Sequence, residues 1–284
     1  MFGTDFCRAA RAAGHQTVPA SRGSDPNDTY IDITNVNQVR ELVLMIKPDC
    51  IVHGAALTDV DYCELHPETA LLINAVGAKN VAQAAQQVGA YMVCISTDFV
   101  FSGHSARPYR ESDTPAPINS YGQSKRVGEL NVLSSAENSC VVRTSWLYGP
   151  YGQSFASAVI ARAREAGEIA LVNDQWGSPT STRDLSAAVL QILSTRFSGV
   201  VHAANDGVVC RSELGKTILS RADIQCKIEE MSALEYVQKT RPAAPRPTYS
   251  ALDSALLGKT TGHKMRPWEL ALNEFIDELN NKAA

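Results

Sequence analysis

The sequence predicts an α/β protein built on a doubly wound parallel sheet, followed by a smaller C-terminal part. Three observations carry this. Short apolar runs alternate with amphipathic helical stretches of ten or more residues, the order expected of βαβ units. The runs at residues 50–53 (Cys-Ile-Val-His), 91–96 (Tyr-Met-Val-Cys-Ile-Ser) and 140–143 (Cys-Val-Val-Arg) are near-continuously apolar, as in strands covered on both faces. A length of 284 residues suffices for one large domain, or for such a domain with a small companion.

Residues 5–13 read as a helix, and Gly14 suits its C-terminal stop. Residues 15–20 are a short extended candidate. Val36, Val39, Leu42, Val43 and Ile46 recur at helical spacing, and Lys47-Pro48 ends that helix. After the strand at 50–53, residues 68–88 form a long helical stretch closed by Gly89. The strand at 91–96 precedes a helix at 120–133 and the strand at 140–143. Past residue 150 the pattern loosens. A helix at 155–166, a short strand at 169–172 and a helix at 182–193 follow, then a Pro- and Arg-rich segment at 241–248 and a last helix at 267–279. This half is expected to send a strand and a helix or two back to the main sheet. In open parallel sheets ligands bind beyond the carboxyl ends of the strands. The loops after Val52, Ile95 and Val142 are therefore expected to line the site.

Composition narrows the function classes. A hydrophobic fraction of 44% argues against a disordered chain, and a net charge of −4 without a long basic run argues against nucleic acid or an anionic membrane as partner. Seven cysteines, an odd number without C-x-x-C spacing, suit a reduced, cytoplasmic protein. No apolar stretch approaches the ~20 residues a membrane span needs. The six histidines lack metal-ligand spacing such as H-E-x-x-H, so no metal is expected.

The sharpest chemical signal is Tyr121-Gly-Gln-Ser-Lys125. Four residues apart on a helix, both side chains share one face. A neighbouring ammonium lowers a phenol's pKa and suits it to exchange a proton with a carbonyl oxygen. The strand at 91–96 runs into Thr97-Asp98, which offers a hydroxyl at the carboxyl end of a central strand. Ser96 and Thr97 are both candidates for that group, with Thr97 preferred. Strand-end hydroxyl, Tyr and Lys together form the constellation of a short-chain dehydrogenase/reductase.

Closer motifs extend along the chain. They are residues 54–61 (Gly-Ala-Ala-Leu-Thr-Asp-Val-Asp), 96–103, 121–129 (Tyr-Gly-Gln-Ser-Lys-Arg-Val-Gly-Glu) and 143–149 (Arg-Thr-Ser-Trp-Leu-Tyr-Gly). Residues 174–180 (Asp-Gln-Trp-Gly-Ser-Pro-Thr) and 245–250 (Pro-Arg-Pro-Thr-Tyr-Ser) complete the set. With these the whole chain resembles the dTDP-4-dehydrorhamnose reductase family, a branch of the extended short-chain dehydrogenases. The resemblance implies a Rossmann-type fold and NAD(P)H-dependent reduction of the 4-keto group of a dTDP-6-deoxy sugar. It implies a dinucleotide-binding domain over residues 1–148 and a mainly substrate-binding part over 149–284. Tyr121 matches the proton donor, Lys125 its partner and Thr97 the third catalytic member. Thr97, Asp98 and Trp146 match sugar contacts. Gly3, Asp32, Ile33, Ala56, Leu57 and Thr58, with Tyr121 and Lys125, match positions along the cofactor. Asn74 resembles a position that other short-chain dehydrogenases use in a water relay. The partner is then a dTDP-linked keto sugar, and a homodimer is compatible with the pattern. A non-catalytic subunit resembling the regulatory β subunit of methionine adenosyltransferase is the alternative.

Two departures stand out. Phe99 replaces a tyrosine common in relatives. Gly3 resembles the last glycine of a G-x-x-G-x-x-G turn, so the first strand and the first two glycines are expected to be missing from this sequence through a late start codon or a truncation. For the cofactor, no carboxylate adjoins the segment at 15–20, and Ser21 with Arg22 suits a 2′-phosphate; NADPH is expected, with NADH tolerated. Asp59, Asp61 and Glu64 are expected to be a solvated acidic surface, with a divalent ion as the less favoured reading. Arg241 and Arg246 suit either a substrate diphosphate or a surface ion pair.

Overall fold

The structure, a computed structural model, describes residues 1–23 and 28–283. Its centre is a four-stranded, fully parallel sheet in the order Gly199–His202, Ser139–Thr144, Tyr91–Thr97, Cys50–His53. The continuous apolar runs are what both-face burial requires. On one face Tyr91, Val93, Ile95, Cys140 and Val142 pack with Phe2, Phe6, Leu185 and Val189. On the other, Met92, Cys94 and Val141 pack with Val39, Val43, Val81 and Val132. All seven residues of Tyr91–Thr97 are buried.

The helices fall on two sides accordingly. Phe2–Ala12 turns Phe2, Phe6 and Ala10 inward at a spacing of four and lies against Thr182–Thr195, where Asp5 accepts a hydrogen bond from the Thr182 hydroxyl. This helix starts earlier than the expected residue 5 and carries Gly3 in its first turn. Val36–Ile46 and Ala78–Val88 cover the opposite face with Ser120–Ser135. The expected single helix over 68–88 is broken into Pro67–Leu71, a π-helical turn Leu72–Gly77, and Ala78–Val88. Such insertions cluster at functional sites, and this one carries the buried Asn74.

A second core holds the C-terminal half. Tyr148, Val159, Ile160, Leu171, Ile218 and Phe275 are among the residues packed there. Glu168–Val172 pairs in parallel with Lys227–Met231, away from the main sheet. The strand Gly199–His202, which the apolar pattern did not single out, returns to the main sheet beside Ser139–Thr144. Two-residue strands Ala20–Ser21 and Thr29–Tyr30 form a separate parallel pair. Among the described residues no helix is long and apolar enough to cross a membrane.

Candidate active site

Three parallel strands end on one edge. Register pairs His53 with Cys94, and Thr97 with Thr144, so Tyr91–Thr97 projects its last residues past Cys50–His53. The loops at 54–58, 98–100 and 145–146 therefore gather where the sheet topology predicted. Thr97 caps the short 3-10 turn Asp98–Val100, its Oγ1 accepting from Phe99 N at 3.2 Å and donating to Asp98 Oδ1 at 3.0 Å.

Ser120–Ser135 supplies Tyr121 and Lys125. Its N-cap Asn119 accepts from Gly122 N at 2.8 Å and donates to Pro245 O at 2.9 Å, which ties the helix start to the C-terminal segment. Ser120 N donates to Glu64 at 2.7 Å. Gly122 has no room for a side chain, because a Cβ there would lie 2.1 Å from Phe99 O. That contact presses the helix onto the strand end. Phe99 meets Tyr121 edge to face, with ring centroids 5.7 Å apart. The departure from tyrosine at position 99 thus gives the Tyr121 ring an apolar wall.

Ser96 and Thr97 differ in what they touch. Ser96 points away from the site and donates at 2.6 Å to Glu129, which also receives a bidentate pair from Arg143, 2.8 Å at both contacts. Thr97 is the residue whose hydroxyl reaches Tyr121. Lys125 is buried and donates to Ile95 O at 2.8 Å, on the same strand. Its charge, after burial, holds the neighbouring His53 neutral, pushed down to about 3. The expected lowering of the Tyr121 phenol by Lys125 is not found. Burial pushes it above its usual value, with the Thr97 hydroxyl pulling it down and Asp98 adding to the rise. Tyr121 is therefore a neutral phenol that carries its proton near neutrality. Burial likewise raises Asp98, to about 6, against the pull of Ser250, Thr97 and Arg211.

Asn74 does structural duty that sequence reasoning did not foresee. It exchanges two hydrogen bonds with the Leu57 backbone, accepting from N at 2.7 Å and donating to O at 3.0 Å. It also donates to Ser124 Oγ at 2.9 Å, and Ser124 donates to Tyr121 O at 2.8 Å. One chain of bonds thus joins the loop at 54–58 to the helix of Tyr121. The π-helical turn approaches that helix closely at Gly128, where a Cβ would lie 2.4 Å from Asn74 O.

The positions matched to a cofactor are spread over the first helix, the segment at 21–22, the turn at 32–34 and the loop at 54–58. Asp32 accepts from Thr34 N at 2.9 Å and Thr34 Oγ1 at 2.8 Å, which lowers its carboxyl. Asn80, unforeseen, donates to Ile33 O at 2.9 Å and fixes this turn. Ile33 packs on Gly77. Ala56 and Leu57 are partly covered, while Thr58 is exposed. Ser21 donates to Asp28 at 2.6 Å, so a carboxylate does stand beside the segment where none was expected, seven residues further along the chain. Arg22 is exposed, and its charge reaches Asp32. Gly3 sits in the first helix with open space around it.

The far wall is assembled from distant segments. Trp146 adopts φ +45°, a left-handed conformation that an L-residue holds only when its surroundings require it. Its ring lies against Gly177, where a Cβ would come within 2.4 Å, which explains the glycine in the motif at 174–180. Its face carries a cation: the Arg211 guanidinium lies 3.7 Å from the ring centroid. One face of the indole is thus covered by a cation. The acidic residues are each engaged. Asp59 caps Val60–Leu65, Glu64 accepts from Ser120, and Asp61 takes Arg246 in two bonds of 2.6 and 2.7 Å. Arg246 pulls Asp61 down to about 2 and is held in an ion pair; Arg241 is exposed at a helix end.

Known proteins share this sequence pattern and fold. The family described as RmlD substrate binding domain matches residues 1–281. The spore coat polysaccharide biosynthesis protein SpsK of Bacillus subtilis is 35% identical over 98% of this chain and 94% of its own length. The dTDP-4-dehydrorhamnose reductase of Escherichia coli is 32% identical over 87% of this chain and 85% of its own. A crystal structure of dTDP-4-dehydrorhamnose reductase from Bacillus anthracis in complex with NADP superposes with a TM-score of 0.91 at 38% identity, covering 98% of this chain and 95% of that one.

Proposed function

This chain belongs to the RmlD substrate binding domain family, that of the dTDP-4-dehydrorhamnose reductases, and on that premise we propose that it reduces the 4-keto group of dTDP-4-dehydro-L-rhamnose, or of a close dTDP-6-deoxy-4-keto sugar, to dTDP-L-rhamnose. NADPH is the preferred cofactor, with NADH tolerated; the NADP in the Bacillus anthracis relative supports this choice. The residues present fit a dinucleotide. The small residues Gly54, Ala55 and Ala56 leave backbone open at a strand's carboxyl end, and Asn74 and Asn80 brace the two loops beside it. Ser21, Arg22, Asp32 and Ile33 would hold the adenosine part and Ala56, Leu57 and Thr58 would pass along the cofactor, with Gly3 matched to the turn at its diphosphate, all in residues 1–148. Residues 149–284 mainly hold the sugar nucleotide.

When bound, the nicotinamide supplies a hydride to the sugar carbonyl carbon. Tyr121 gives its phenolic proton to the carbonyl oxygen. Its raised pKa supports a donor that is protonated before the reaction. The Thr97 hydroxyl positions that oxygen and bonds to the phenol. Lys125, anchored on Ile95 O, is placed to hold a ribose hydroxyl of the cofactor. Asp98 accepts from a sugar hydroxyl, and Trp146 bounds the pocket.

The observation that carries this reading is the convergence of Thr97 and Tyr121 on one strand end, clamped by the Gly122–Phe99 contact. Replacing Tyr121 by Phe tests it. The expected result is loss of about 10²–10⁴ in turnover of the keto sugar with NADPH, with binding of dTDP retained. Unchanged turnover in Tyr121→Phe would overturn the assignment. A protein that binds NADPH and the keto sugar but never oxidises the cofactor would instead be a regulatory subunit.

A further inference from the structure

Arg211 opens the helix Arg211–Arg221 and has no role in the chemistry above. Its guanidinium lies over Trp146 at 3.7 Å and beside Phe155 at 4.5 Å from the ring centroids. Two aromatic rings at these distances hold a planar cation by stacking. The five N–H donors of a guanidinium lie in its plane, so stacking leaves them free to bond. Among the described residues none of them meets an acceptor, and no carboxylate pairs with the side chain.

The neighbours sharpen the point. Burial pulls Arg211 down to about 10, with Asp98 as the charge that opposes this. Asp98 is 2% exposed, its Oδ1 is taken by Thr97, and its Oδ2 has no hydrogen-bond partner. The Ser250 hydroxyl beside it, though near enough to pull the carboxyl down, also makes no bond of normal geometry. Arg246, the other cation acting on Arg211, is already consumed by Asp61. A partly exposed cation with free donors thus stands near Asp98, whose Oδ2 has no partner. A stacked guanidinium whose N–H groups meet no protein acceptor is ready to bond a ligand oxyanion.

Resting on the reading of the substrate as a sugar nucleotide, we propose that Arg211 is a specificity residue whose in-plane N–H groups bind the diphosphate of that substrate. Trp146 and Phe155 keep the guanidinium flat so that its edge meets the phosphate oxygens. A charged oxyanion suits it better than a sugar hydroxyl, because both partners then carry charge and the guanidinium fork matches phosphate oxygens in two bonds. The role expected for Arg241 or Arg246 thereby passes to a residue that no motif marked.

The test uses the full chain and two variants, Arg211→Met and Arg211→Lys. Thermal melting and NADPH binding report whether each variant is folded. Titrations with dTDP, inorganic pyrophosphate and thymidine separate recognition of phosphate from recognition of the base. Wild type is expected to bind dTDP and pyrophosphate, and Arg211→Met to bind both about tenfold or more weakly, the loss of one charge-assisted bond. Thymidine binding should be the same in all three, and Arg211→Lys should fall between. The KM for the keto sugar should rise more than kcat falls. Equal binding of dTDP by wild type and Arg211→Met overturns the proposal and leaves the reductase reading standing. Equal loss of thymidine and dTDP overturns it too, since Arg211 would then only hold Trp146 in place. Failure of the wild type to bind dTDP overturns the sugar-nucleotide reading itself.

Discussion

Thr97, Tyr121 and Lys125 stand on a strand and a helix whose backbones touch, whereas Trp146, Arg211 and Arg246 stand on a turn, a helix start and a loop. On the first side the spacing is set by main-chain contacts: Gly122 against Phe99 O, Gly128 against Asn74 O, Lys125 Nζ on Ile95 O. On the second, side chains meet across long stretches of sequence, as Asp61 meets Arg246 and Trp146 meets Arg211 and Gly177. The proposed reacting groups are thus held by main-chain contacts, and the proposed ligand-facing wall by side-chain contacts. Chemistry that must be held to fractions of an ångström is served by the first design, and discrimination among sugars by the second.

The contrast breaks most severely at Gly122. In Gly122→Ala the new Cβ faces a backbone carbonyl at 2.1 Å, and neither strand end nor helix can yield cheaply. We expect about 3 kcal/mol of destabilisation, read by denaturant unfolding, together with loss of turnover. Wild-type stability in that variant would mean that the helix is not clamped. Asp98, at the border of the two sides, gives the next effect. Its folded pKa of about 6 lies above the ordinary carboxylate value, so it favours the folded state below that ordinary value. That contribution is lost as pH rises through about 6, up to about 3 kcal/mol. Stability relative to Asp98→Asn should therefore fall between about pH 4 and pH 6. Parallel profiles for the two proteins would contradict it. The smallest effect belongs to the loop side. Asp61→Asn breaks a partly exposed pair with Arg246 and should cost about 1 kcal/mol or less. A loss several times larger would show that the loop side is as rigid as the strand side.

The same contrast explains what could be read from sequence. The strands at 50–53, 91–96 and 140–143 were legible because burial on both faces leaves an unbroken apolar run. Tyr121, Lys125 and Thr97 were legible because one helix turn and one strand end fix them locally. Gly199–His202 was not, since four residues with a single glycine and histidine look like many loops. The π-helical turn was hidden because its residues are ordinary helix formers, and only the inward Asn74 betrays it. Ser124 and Glu129 lay inside a motif and Asn80 outside all of them, yet bonds to Asn74, to Ser96 and to Ile33 O join segments that no local spacing links. Arg211 had no local pattern at all. Its stacking depends on Trp146 and Phe155, which the chain brings to it from an earlier turn and an earlier helix start. The Asp28 carboxylate was missed because it lies seven residues past Ser21.

The central claim is hydride delivery to a sugar carbonyl with protonation by Tyr121. It is tested most directly by incubating the protein with NADPH deuterated at the transferable position and dTDP-4-dehydro-L-rhamnose, then reading the product by proton NMR. The account predicts dTDP-linked 6-deoxyhexose with deuterium at C4, formed by wild type and nearly absent with Tyr121→Phe. Cofactor left reduced by wild type, or product without deuterium at C4, would contradict it.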